Sequence, residues 1–274
     1  MNQNTWTPTR IQNKIQNQPI FQPGSVQSEP RSIIRLETLA KGFSPISLEE
    51  MDAVALLNRV DTKFVLPTGQ LLQGLAMLRA DYSILSVDEQ RLNHYRTLYF
   101  DTRDFALYNM HVNEHADRFK VRSREYIDSQ LAFLEVKHRT RKDRTIKSRI
   151  STGKPAMWID SNAQCWLQGV FPYDSRALEP KLWNTFTRIT LVNKRQCERV
   201  TIDVDLAFYT ANRRIQLNGI AVAEVKQDGR DWPSTFLAQM QALKVHPQGF
   251  SKYCIGASLL YDQVKKNSLK AKLL

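Results

Sequence analysis

Acid is scarce in this chain of 274 residues: 27 Asp and Glu face 39 Lys and Arg, for a formal net charge of +12. Such a surplus calls for an anionic partner: nucleic acid, a membrane surface or phosphates. Cysteine is scarcer. Cys165, Cys197 and Cys254 are odd in number and far apart, which excludes a disulfide framework and a cysteine zinc site and points to a reducing compartment. The expected location is therefore the cytoplasm. The five histidines, at 94, 111, 115, 138 and 246, lack HExxH or facial-triad spacing. His111 and His115 are four apart, but a solvated or capping role is the simpler reading. Ser251 has no evident histidine partner. The glycines form neither a P-loop nor a dinucleotide fingerprint. No apolar run approaches a membrane span. The first residues, MNQNTWTPTRIQNKIQNQ, lack the apolar core of a signal peptide. A soluble chain is expected.

What the chain does have is material for a core, with 42% apolar residues. Residues 1–30 are rich in Gln, Asn and Pro and predict a disordered tail. Residues 31–262 form the body, and 263–274 form a basic tail. Ser47 followed by Glu50 predicts a capped helix start. TGQLLQGLAMLRA, from Thr68, predicts a second helix and RDFALYNMHVNE a third. Further helices are expected over PAMWIDSNAQCWLQGV, SRALEPKLWNTF, PSTFLAQMQALK with Pro233 in its first turn, and SKYCIGASLLYDQVKK.

Strands carry most of the information. RFKVRSREY, residues 118–126, puts Arg118, Lys120, Arg122 and Arg124 on one face of a strand, opposite Phe119 and Val121. LAFLEVKHRTR places Phe133, Glu135, Lys137, Arg139 and Arg141 opposite Leu134, Val136 and His138. ERVTIDVDLAF places Arg199, Thr201, Asp203 and Asp205 opposite Val200, Ile202, Val204 and Leu206. FTRITLVNKR lines up Arg188, Thr190, Val192 and Lys194. IAVAEVKQD aligns Val222, Glu224 and Lys226, and RVDTKFVL aligns Arg59, Asp61 and Lys63.

Solvated faces of antiparallel strands are the ordinary explanation of such alternation. Two features weigh against it. A solvated face mixes signs, whereas cations ~7 Å apart on one face repel by about 2 kcal/mol at an effective dielectric of ~20. Charged faces also recur in strand after strand, with helices left over to cover the apolar sides. A closed antiparallel barrel with a charged interior and flanking helices, an α+β fold, satisfies both. It inverts the usual apolar interior of a small barrel and makes sense around a polyanion.

These strand motifs resemble those of the triphosphate tunnel metalloenzymes, the CYTH superfamily, and within it the VTC branch, the polyphosphate polymerase domain. Arg59-x-Asp61-x-Lys63 is similar to the branch's Arg-x-Glu-x-Lys, with a shorter carboxylate. LYFDT at 98–102, KVRSREY with Arg122 and Arg124, and FLEVKHR with Glu135 and Lys137 follow in the branch's order. Then come TRITLVNKR with Arg188, ERVTIDVDL with Arg199, AVAEVK with Glu224 and Lys226, and FSKYCIG with Ser251, Lys252 and Tyr253. The resemblance covers about residues 32–262, without an SPX domain.

The resemblance implies an enzyme that transfers the terminal phosphoryl group of ATP to a growing polyphosphate chain, aided by Mn2+ or Mg2+. It implies catalytic roles for Lys63, Arg122, Arg124, Lys137, Arg188 and Lys252. Substrate contacts would be shared with Lys120, Arg139, Arg199, Lys226 and Ser251, and the metal held by Glu224 or Glu135. Arginine suits bidentate phosphate contacts, and a divalent ion needs only one or two carboxylates beside phosphate oxygens. The partners implied are ATP or another triphosphate and inorganic polyphosphate. A triphosphate hydrolase needs the same lining. A non-catalytic polyphosphate or nucleic-acid binder is the rival of another class. Nucleic acid is disfavoured by the acids among the cations and the absence of an RNA-binding aromatic motif.

Overall fold

The computed structural model describes residues 30–53, 59–142, 144–228 and 233–270. The expected disorder of the polar N-terminal stretch falls outside these residues, as does the end of the basic tail. The elements run α1 (Pro30–Lys41), β1 (Ser44–Ile46), α2 (Leu48–Ala53), β2 (Arg59–Pro67), α3 (Thr68–Met77), β3 (Tyr82–Leu85), β4 (Asn93–Asp101) and α4 (Ala106–Val112). They continue with β5 (Arg118–Tyr126), β6 (Leu131–Arg139), β7 (Thr145–Ser151), α5 (Ser161–Gln168), β8 (Glu179–Asn193), β9 (Glu198–Tyr209), β10 (Arg214–Gln216) and β11 (Ile220–Asp228). Last come α6 (Thr235–Ala242), α7 (Lys252–Leu260) and α8 (Asn267–Lys270).

Among the described residues eleven strands form one sheet, whose main path is β2-β11-β9-β8-β4-β5-β6-β7. Every pair along that path is antiparallel. The alternation read from sequence decides which way each strand faces. Phe64, Ile189, Ile202, Ala223 and Val225 bury one face under Leu36, Leu71, Leu75, Phe236 and Met240 of α1, α3 and α6. Farther along the same side, Leu98, Phe100, Phe119, Val121, Leu134 and Val136 pack on Ala163 and Leu167 of α5. The α+β class and the helix-covered apolar face are as expected.

The other face is concave and charged. Lys63 of β2 lies near enough to Lys120 of β5 and Lys137 of β6 to weaken their hold on protons, although four strands separate β2 from β5 in the path. Only a strongly curled sheet allows that. Hydrogen bonding does not close the curl: β2 and β7 end the path, so the barrel has a seam. The β2 edge is covered by its own chain, with Phe64 bridged to Pro247 and the Gln248 amide donating to the Lys63 carbonyl at 2.8 Å.

Not every helix lies outside. The helix α7 is apolar around most of its circumference, the signature of a helix buried on all sides. Tyr253, Cys254, Ile255 and Ala257 pack against Tyr95, Tyr99, Leu182, Phe186, Leu206 and Phe208. Tyr95 and Phe186 flank the charged lining, so α7 plugs part of the concave side. Fully buried Asp101 fixes it there, accepting hydrogen bonds from the Leu107 and Tyr108 amides at the start of α4 and from the Tyr253 hydroxyl at 2.5 Å.

Several expectations need correction. SRALEPKLWNTF is not a helix: a 3-10 turn at Ser175–Ala177 leads into β8 from Glu179. Leu182 and Phe186 satisfy helical and strand spacing alike, and pairing with both β4 and β9 decides the matter. PAMWIDSNAQCWLQGV is helical only after Asp160, whose side chain caps α5. Pro233 precedes the N-cap, Ser234, instead of occupying the first turn. Asp205 does not share the face of Asp203. It sits at a bulge where the β8–β9 register shifts between Thr185 and Thr187, in the left-handed region at φ 55°. The extra residue flips the alternation, so Leu206 and Phe208 turn toward α7, while Asp205 lies near His94.

Close approach explains one glycine. A Cβ on Gly256 of α7 would lie 2.5 Å from the Phe208 ring. Gly256→Ala should therefore lower stability by about 1–3 kcal/mol through overpacking, despite the better helix propensity of alanine. Urea unfolding checks this; an unchanged midpoint would mean that α7 is not seated on β9.

Candidate active site

The concave face is organised by three carboxylates, each gripped by two cations. Glu224 of β11 accepts from Lys63 at 2.5 Å through one oxygen and from Lys226 at 2.8 Å through the other. Asp203 of β9 binds Arg188 of β8 in bidentate fashion, at 2.6 and 2.8 Å, and takes Lys252 from the start of α7 as well. Glu135 of β6 pairs with Arg122 of β5 at 2.7 Å and with Lys147 of β7 at 2.6 Å. Cross-strand register makes these partners neighbours: Lys63 stands opposite Glu224, Arg188 opposite Asp203, and Arg122 opposite Glu135.

Burial would raise the proton affinity of all three acids, but their cations outweigh it. Arg122, Arg124 and Lys147 hold Glu135 down at about 2. Lys226 and Lys63 hold Glu224 well below the carboxylate range, and Arg188 and Lys252 do the same to Asp203. The reverse applies to the lysines. Burial, with Lys120 and Lys63 nearby, depresses Lys137 to about 7. Burial, with Arg122, Lys63 and Arg118 nearby, brings Lys120 to about 8. Lys252 also falls to about 8, chiefly by burial, with Asp203 resisting.

Three cations have no carboxylate within ion-pair distance among the described residues. Lys120 donates to the Ser251 hydroxyl at 2.9 Å. Arg124 donates to Thr97 at 3.3 Å and lies 5.7 Å from the centre of the Tyr95 ring, a cation–π contact. Lys137 stands directly opposite Lys120 on one side and Lys147 on the other. Like charges facing each other across a sheet destabilise it, so this part of the face is primed for an anion.

Lys63, Lys120, Arg122, Arg124, Lys137, Arg188, Lys226, Ser251 and Lys252 thus meet on one concave surface with Glu135 and Glu224. Arg139, opposite Arg118, and Arg199, opposite Lys226, extend it at the rim. Sequence reasoning missed Lys147, because TIKSRIS was not recognised as a strand. Its alternating Thr145, Lys147, Arg149 and Ser151 carried the signal. Arg149 covers the Phe133 ring at 4.6 Å.

A resident metal fits this lining poorly. Both oxygens of Glu224 and of Glu135 are engaged by cations, and no group of three His, Cys, Asp or Glu side chains suited to a metal occurs among the described residues.

The lysines give a signed pH dependence. Their folded-state values lie below the ordinary 10.5, so between about pH 7 and 10.5 the unfolded chain holds more protons. Stability then rises with pH through that window, and the penalty is fully present below about 7. Lys137→Met should accordingly raise the melting temperature at pH 7, with the gap to wild type closing towards pH 10. A variant that melts lower at both pH values would contradict the repulsion inferred for Lys137.

Comparison with known proteins follows the same line. No curated protein matches the chain. Among solved structures, a Bacillus halodurans protein named as a candidate adenylate cyclase aligns over 75% of this chain and 100% of its own, at 11% identity and a TM-score of 0.46. A Hippeastrum protein described as having a dominant triphosphatase activity aligns over 73% and 95%, at 12% identity and a TM-score of 0.47. The VTC domain model matches residues 58–261, which takes in β2 to α7 and every side chain of the concave lining, and the chain belongs to the VTC domain family.

Proposed function

We propose that the concave face binds triphosphate and transfers the terminal phosphoryl group of ATP to the end of a polyphosphate chain. The observation that carries this reading is the group Lys120, Arg124 and Lys137, buried or half-buried cations of one face that have no carboxylate partner. No carboxylate among the described residues lies within ion-pair distance of them, and a row of phosphates would supply the missing charge. Arginines offer paired donors to phosphate oxygens, and lysines compact charges.

In this mechanism Arg122, Arg124 and Arg188 orient the phosphates, held in place by Glu135, Thr97 and Asp203. Lys63, Lys137 and Lys252 neutralise charge developing on the transferred group and on the leaving ADP. The bond between the β,γ-bridging oxygen and the γ-phosphorus breaks, and a terminal oxygen of the acceptor chain forms the new one. That acceptor is already an anion, so no general base is required. Such a reaction depends on positioning and charge neutralisation. The divalent ion enters as part of the metal–triphosphate substrate. Glu224, whose side chain keeps 20% exposure, is the carboxylate that would meet it once Lys63 or Lys226 turned to phosphate, whereas Glu135 keeps 1%.

Incubation with ATP and manganese decides the reaction. Long chains on a gel, with ADP released, support transfer to polyphosphate; free phosphate without chains would replace it with hydrolysis. Arg124→Ala should weaken tripolyphosphate binding by roughly 1.5–3 kcal/mol per charge-assisted hydrogen bond lost, while Lys265→Ala changes little. Equal losses in calorimetry would point to a diffuse surface field and to a nucleic-acid binder.

Glu224 supplies a separate test. Glu224→Gln should shift the manganese dependence of turnover while metal-free tripolyphosphate binding survives. An unshifted manganese optimum with near-normal turnover would leave Glu224 as an ion-pair partner of Lys63 and Lys226 alone.

A further inference from the structure

The charged lining does not stop at the rim. β6 and β7 are joined by a short turn in which the Thr140 amide donates to the Arg144 carbonyl at 2.8 Å and the Arg144 amide to the Thr140 hydroxyl at 3.2 Å. The face carrying Glu135, Lys137 and Arg139 on β6, and Lys147 and Thr145 on β7, leads directly to this turn. Arg141, Lys142 and Arg144 stand on it, all exposed. From the interior outward the column reads Lys120 opposite Lys137 opposite Lys147, then Arg118 opposite Arg139, then the three cations of the turn.

An isolated charge run is ordinarily a solvated loop. This one begins where a face ends whose inner members already oppose like charge to like charge, the last register pair of that face being Arg139 with Thr145. Its sequence from 139 to 145, RTRKDRT, has no aromatic side chain on which a base could stack. A bare chain of phosphates suits it better than a nucleic acid strand.

We propose that the β6–β7 hairpin is a second anion-binding element, a track for the distal part of a long polyphosphate chain whose end lies in the concave site. The proposal rests on the reading of that site as a phosphate site and adds to it a preference for chain length. Tripolyphosphate is short enough to be held by the lining alone. A long chain continues past Arg139 and meets Arg141, Lys142 and Arg144.

The test compares wild type with Arg141→Gln/Lys142→Gln/Arg144→Gln, measuring Kd for tripolyphosphate and for long-chain polyphosphate across a salt series, beside a thermal melt. The expected result is an unchanged tripolyphosphate Kd and melt, with long-chain affinity down about tenfold and its logarithmic salt slope shallower by about 2, for three lost phosphate contacts. An unchanged long-chain affinity, or equal losses for both anions, overturns the track. So does a single-stranded oligonucleotide that binds wild type as tightly as polyphosphate and loses as much in the variant. Wild type that binds neither phosphate compound removes the concave site and the track together. Wild type that binds tripolyphosphate, and the long chain no more tightly, removes the track alone.

Discussion

Everything on the concave face depends on the pairing of a few buried carboxylates with two cations each. Curling a sheet so that cations from β2, β5, β6, β8 and β11 converge would be prohibitive without compensation. Asp203, Glu135 and Glu224 supply it, and each links different elements. Asp203 joins β8, β9 and α7, Glu135 joins β5, β6 and β7, and Glu224 joins β2 and β11. These acids are scaffolding for the basic side chains before they are anything else. Removing one partner of such a buried cluster is more damaging than the net strength of the pair suggests, because the other charge stays behind unpaired.

The compensation is deliberately incomplete in space. It is dense around Asp203 and Glu224 and thin around Lys120, Lys137 and Arg124. Aromatic rings take part of the remaining load: Tyr95 and Phe186 lie beneath Arg124 and Arg188, and Phe186 also lies 4.6 Å from the Lys252 ammonium. A ring face offers a cation attraction without offering a competing carboxylate. An incoming anion therefore finds arginines held in position but not fully neutralised. Hydrogen bonding leaves a seam between β2 and β7, which the segment at Pro247 and Gln248 covers on the β2 side.

Much of this was legible in the sequence, because period-two alternation reports directly on which side chains share a face. The lining residues of β2, β5, β6, β8 and β11 were all named from it, and so were the apolar strand faces that α3 and α6 cover, whereas α1 went unread as a helix. The failures have local causes. Leu182 and Phe186 fit two periods, so the first half of β8 read as helix. TIKSRIS is short and lies at the sheet's edge, and its apolar side is only Ile146 and Ile150 interrupted by Ser148, thinner than the side that marked the other strands. The grip of two cations on each acid was beyond sequence altogether, since alternation places charges on a face without saying which will touch. The same holds for α7, whose apolar composition announced burial but not the side of the sheet on which it would lie.

The bulge at Asp205 gives β9 two lives. Before it, odd-numbered residues look into the charged cavity; after it, even-numbered residues such as Leu206 and Phe208 look toward α7. One residue in a left-handed backbone conformation, which aspartate tolerates better than most, thus acts as a phase marker within the strand. Substitution there is a local matter of backbone comfort. Straightening the bulge with the residue kept is different in kind, because strict alternation would then turn the aromatic half of the strand away from the face that carries Asp203, whereas deleting the residue leaves both halves on that face. The bulge, more than the chemistry of position 205, keeps a basic lining and an apolar seat for α7 on one side of a single continuous ribbon.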